Sequence, residues 1–143
     1  MRSLSISGTH PILEGPFTVS STLSVRGEMR TDYLDIYTRY DINAVRTDDD
    51  ADEPSSEDHK DEPAWRVRLV LVANFAKLST DAPRFSDDEL KSFAYVFGPL
   101  FMHPYAREIV QQNVAKLGYP SYTLSILEPL ATPDDEEIEI EET

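Results

Sequence analysis

With 143 residues, a formal charge of −14 and no cysteine, the chain is sized for one modest domain that buries about two-thirds of its unfolded surface. The missing cysteines exclude a disulfide framework and a thiolate zinc site. The acidity disfavours a nucleic-acid partner, because the chain would repel a phosphate backbone unless it carried a compact basic patch.

The opening MRSLSISGTHPIL contains no apolar run of secretory length, and no stretch of the chain reaches the ~18 apolar residues that cross a bilayer. A soluble, cytoplasmic protein without membrane insertion is expected. Phe17 to Met29 alternates without error, with Phe17, Val19, Leu23, Val25 and Met29 on one face and Thr18, Ser20, Thr22, Ser24, Arg26 and Glu28 on the other. That pattern predicts a half-buried strand. Tyr33 to Arg46 alternates again, placing Leu34, Ile36, Tyr40, Ile42 and Ala44 inward. The short link between the two strands predicts an antiparallel hairpin.

Thr47 to Pro63 (TDDDADEPSSEDHKDEP) holds nine acids and one lysine. It is too polar and self-repelling to pack and reads as a disordered insertion at about 47–63. Its closest approach to a calcium loop, DDDADE, lacks the turn glycine and the closing glutamate. Trp65 to Leu78 is the most apolar segment, with Val67, Leu69, Leu71, Ala73 and Phe75 on one face, and is expected to be a central strand.

The period then changes from two to 3.6. Ser86, followed by Asp87, Asp88 and Glu89, forms a capping box with acids on the positive helix end. The helix it starts is expected to stop at Gly98-Pro99, and a second to start at Pro104 and end at Gly118 and Pro120. Tyr122 to Leu127 is expected to extend as a short edge segment. The tail from Pro133 to Thr143 (PDDEEIEIEET) holds seven acids and no base and is expected to be disordered. Without the two acidic segments, 11 acids face 12 bases, so the body is nearly neutral. Strands followed by helices, with no βαβ alternation, predict a single α+β domain over 1–132, with two helices on one face of an antiparallel sheet.

Catalytic constellations are missing. The sequence has no phosphate-cradling glycine loop, nucleotide fingerprint, His-Glu-x-x-His pair or Gly-x-Ser-x-Gly elbow. Of the three histidines, His10 and His59 lie in segments with no packed neighbourhood, and His103 precedes Pro104 at a helix start. A non-enzyme with no metal and no cofactor is expected.

Three elements resemble the SecB chaperone family in order and spacing. These are Gly98-Pro99-Leu100-Phe101 at a helix break, Pro104-Tyr105-Ala106-Arg107-Glu108 at the start of a second helix, and Tyr119-Pro120 before Tyr122-Thr123-Leu124. The match covers about Phe85 to Leu127, and Val67 to Leu78 resembles the family's last strand more loosely. The resemblance implies a curved antiparallel sheet carrying two helices, a homodimer or homotetramer, and an ATP-independent holdase that keeps unfolded or nascent polypeptides competent for translocation or folding.

On that basis the client-binding candidates are Phe97, Leu100, Phe101, Met102 and Tyr105, where apolar residues crowd too densely for a solvated loop. Filling of the core or of an oligomer interface is the competing explanation. Export members of the family dock on SecA partly through an acidic sheet face. Here the outward positions read Arg26, Arg39, Arg66 and Arg68 against Glu28, Asp35 and Asp41, which is close to balanced. The acidic insertion and the lack of a further helix after the last extended run also depart from those members and count against SecA as a partner. The alternative is a protein of this fold acting as an adaptor or as a chaperone for one dedicated client, for example an antitoxin.

Overall fold

The alternating segments form a single antiparallel sheet. The computed structural model of the chain describes residues 1–8, 17–46, 63–77, 79, 81 and 83–125, so the acidic insertion and tail lie outside the described residues. The elements in order are β1 (Ser3–Gly8), β2 (Phe17–Met29), β3 (Tyr33–Arg46), β4 (Trp65–Ala76) and α1 (Asp87–Lys116). The sheet order is β1-β4-β3-β2, with every pairing antiparallel. The expected hairpin is β2–β3, and β4 is interior, as its apolar composition requires. β1 went unrecognised: only Leu4 and Ile6 mark its inward face among serines, and it is completed by pairing Ser3 to Val70 through Gly8 to Trp65.

The expected pair of helices is one helix of 30 residues with Pro99 and Pro104 inside it. Two physical facts explain this. A stop glycine works by adopting positive φ, and among the described residues only Gly118 does so, at 85°. Gly98 instead lets the helix touch the sheet: a Cβ there would lie 2.9 Å from both Ile36 Cγ2 and Val25 Cγ1. Burial of Ala94, Gly98, Ala106, Val110 and Val114 against the strands offsets the ~3 kcal/mol that an interior proline costs. The start is as read, since Ser86 Oγ accepts from the Glu89 N–H and Glu89 Oε2 accepts from the Ser86 N–H.

Beneath the C-terminal half of α1 the core contains Tyr40, Ile42, Trp65, Val67, Leu69, Val110 and Val114. Val25, Leu34, Ile36, Ala73 and Ala94 fill the space beneath the N-terminal half, and Leu23 and Met102 pack against both groups. After the helix, residues 119–125 form no strand, contrary to the expected extended edge, and 126–127 lie outside the described residues. Leu124 is buried, Tyr122 packs on Trp65, and the Tyr119 hydroxyl donates to the Ala64 carbonyl at 2.8 Å.

The face of the sheet turned away from α1 is held by charge. Asp41 accepts from Arg66 at 2.8 and 3.0 Å and from Arg68 at 3.0 Å, and Arg39 stands 3.9 Å away. Burial alone would push the Asp41 carboxyl up, but the hydrogen bonds and charges of Arg66 and Arg68 outweigh it and hold it below the usual carboxylate range. Glu28 accepts from Arg26 and Arg30, and Arg2 lies over the Tyr37 ring. Counting Arg2 and Arg30, six arginines stand against Glu28, Asp35 and Asp41 among the described residues of this face, so the balance expected from sequence tips to positive there.

Candidate functional site: an aromatic row beside the sheet

Continuity of α1 through its prolines aligns side chains that a broken helix would separate. Phe93, Phe97, Phe101 and Tyr105 recur every four residues and so share one side of the helix. The Phe93 and Phe97 rings lie 4.5 Å apart, and those of Phe97 and Phe101 6.1 Å apart. Phe75, near the end of β4, wedges between them with edge-on contacts to Phe93 at 5.8 Å and Phe101 at 5.6 Å. Phe85 stacks on Phe93 at 5.3 Å and continues the row ahead of the helix.

The inward side of α1 is built from small residues because it sits close to the strands, but the other side keeps large apolar groups in solvent. Leu100 and Tyr105 are each 61% exposed, Val96 58% and Phe101 45%. An open groove of about 510 Å³ runs among Phe85, Phe93, Val96 and Phe97, with Asp88 and Glu89 on its rim. A second groove of similar volume is lined by Ala73, Phe75, Leu100, Phe101, Met102, Pro104 and Tyr105. Large apolar groups clustered in solvent mark an interaction surface far more often than they mark chance.

All five candidates from the sequence lie along this surface. Phe97 is half-buried in the aromatic row and lines the first groove, while Leu100, Phe101, Met102 and Tyr105 line the second. Met102 is the floor, since it also packs against both parts of the core. Phe75, Phe85, Phe93 and Val96 were missed. The four-residue spacing from Phe93 to Tyr105 was the available signal, hidden by a helix break assumed at Gly98.

Chemically, the described surface offers burial to apolar side chains. No group of metal-ligating side chains occurs among the described residues. His103 is buried in α1, where its Nε2–H donates to the Ser125 carbonyl at 2.7 Å and its Nδ1 accepts from the Tyr40 hydroxyl at 3.2 Å. A carbonyl can only accept, so these partners fix the tautomer. Burial pushes the Tyr40 hydroxyl well above its ordinary range and keeps it a donor. His103 thus ties α1 to β3 and to the segment after the helix, with both ring nitrogens occupied. His10 and His59 lie outside the described residues.

No family model matches the chain, and no curated protein does either. Among solved structures, the Mycobacterium tuberculosis Rv1957 SecB-like chaperone, in complex with a ChAD peptide from the Rv1956 HigA1 antitoxin, is similar with a TM-score of 0.70 at 15% identity, over 91% of this chain and 87% of that one. The fold is SecB-like. Within this SecB-like fold, the Pro104 to Glu108 run lies inside α1 rather than opening a helix. Tyr105 is exposed, Ala106 fully buried, and Glu108 accepts from Gln112 on the outer surface. No helix among the described residues is long and apolar enough to cross a membrane.

Proposed function

We propose that the protein is an ATP-independent holdase that binds unfolded or nascent polypeptides along the aromatic row of α1. The exposed Val96, Leu100, Phe101 and Tyr105 beside Phe75 carry this reading. An extended client sets its apolar side chains into the two grooves and is held by area burial, at roughly 25 cal/mol per Å² of apolar surface. Binding of this kind asks little of client sequence and needs no nucleotide, cofactor or catalytic group. Surface of this kind is also covered by like chains, so the protein assembles as a homodimer or homotetramer.

The test is suppression of aggregation of an unrelated unfolded protein by substoichiometric chaperone, with light scattering reporting the assembly state. The wild-type chain suppresses, and Leu100→Asp with Phe101→Asp weakens suppression about tenfold, a loss of about 1.4 kcal/mol. No suppression at any ratio, together with a monomer in solution, overturns the reading.

A narrower form, a chaperone dedicated to one client, has specific support in the antitoxin peptide bound by the structural neighbour. In that case one peptide co-purifies with the protein and saturates the grooves, while unrelated clients are not held. A role at the export translocase is not proposed, because the outer sheet face is arginine-rich where the export members are acidic.

A further inference from the structure

The outer sheet face and the grooves lie on opposite sides of the strands, so a ligand of the outer face is independent of the holdase reading. Around Asp41, three guanidinium groups share one carboxylate. The side chains of Arg39, Arg68 and Arg30 are 47%, 48% and 51% exposed, against 14% for Asp41, 12% for Asp35 and 25% for Glu28. The carboxylates are therefore sunk into the face and already shared, while positive charge stands proud of it. Neighbouring guanidiniums repel, and a second anion arriving above them relieves that repulsion. Val70 lies opposite Arg39 and Val72 opposite Tyr37, so apolar surface alternates with the arginines, and Ser3 and Ser5 of β1 adjoin them opposite Val70 and Arg68. This face fits an acidic segment that carries apolar residues between its carboxylates.

We propose that the occupant is the chain's own C-terminal segment, residues 133–143. Its sequence, PDDEEIEIEET, has seven acids and alternates Ile138 and Ile140 with glutamates, matching the mixture of arginine and valine on the sheet. The tether is extensible: eight residues lie between Ser125, the last described residue, and Asp134, and fully extended at ~3.3 Å per residue they let Asp134 stand up to roughly 30 Å from Ser125. A tethered segment meets its site at an effective concentration in the millimolar range, so contacts that are individually weak and salt-sensitive suffice. The acidic insertion is the competing occupant, but it holds its acids without interleaved large apolar residues.

The test uses the full-length protein, whose lack of cysteine makes Thr143→Cys a unique point for a nitroxide label. The expected result is loss of amide signal intensity by paramagnetic broadening at Ser5, Arg39, Arg68 and Val70. Intensity returns at ~0.5 M salt, where screening is short-ranged, and returns in the Arg39→Gln, Arg68→Gln double variant. Both side chains are about half exposed, and an unchanged circular dichroism spectrum confirms that the variant folds. Absence of broadening on the outer face overturns the proposal, as does broadening at Leu100 and Phe101 or persistence in the double variant. Broadening of the outer face by a label at Ser56→Cys but not at Thr143→Cys also overturns it, in favour of the insertion.

Discussion

The two sides of this sheet solve opposite problems. On one side α1 presses Ala94, Gly98 and Ala106 so close that a methyl group at Gly98 would have to displace Ile36 and Val25, and the large apolar residues of the helix are displaced onto its solvent side, where the aromatic row lies. On the other side no described element packs; Asp41 ties β3 to β4 through Arg66 and Arg68, and Glu28 accepts from Arg26, Arg30 and, across to β3, Tyr37. Tight packing in one place thus leaves exposed apolar surface next to it, while the opposite face of the sheet presents charge. The exposure of large apolar side chains on the helix side follows from how closely helix and sheet approach.

Substitutions on each side sharpen this contrast. Gly98→Val has the largest expected effect. Its side chain enters space occupied by Ile36 and Val25 and costs about 3 kcal/mol in urea unfolding; a change below about 0.5 kcal/mol would show that the contact is slack. Asp41→Asn comes next, with a loss of about 1 kcal/mol at neutral pH. The Asp41 carboxyl is held below its ordinary value of 3.8 in the folded chain. Its contribution is therefore present above that value and is lost as pH falls through the lower folded value. Unfolding measured as a function of pH checks the sign: wild type and Asp41→Asn converge on acidification below 3.8, and curves that stay parallel count against the arginine cluster. The smallest effect belongs to Thr38→Val, beneath Gly98 on the helix side. The Thr38 hydroxyl is fully buried and has no hydrogen-bond partner among the described residues, so a methyl in its place stabilises by about 0.5 kcal/mol. Destabilisation in thermal melts would point to a water or carbonyl that satisfies it.

The strands were legible because period-two patterning is a local property. Phe17–Met29 and Tyr33–Arg46 agree to the residue with the alternation, and Trp65–Ala76 stops two short of it. The capping box at Ser86 is equally local. Gly98-Pro99 misled because a glycine followed by proline is a strong stop signal in sequence, and only the surface of Val25 and Ile36, distant in the chain, shows that the glycine serves contact. That error also limited the site. The five candidates follow from local crowding, but Phe93 joins Phe101 only along an unbroken helix, and Phe75 joins both only once β4 is paired in the sheet. β1 was illegible for a similar reason, since six residues with two large apolar groups become a strand only by pairing with the edge of β4.

Tyr119 closes the molecule in a way that bears on its tolerance to change. Its hydroxyl holds the Ala64 carbonyl, and the Ala64 N–H donates to Ala44 at 2.7 Å, so the chain re-enters β4 beside the point where it leaves β3. Whatever is spliced between residues 46 and 63 starts and finishes at adjacent rungs of one ladder. Doubling its length costs only about 0.6 kcal/mol of closure entropy. The adjacent ends therefore make the position a natural graft point for a peptide tag or a reporter domain.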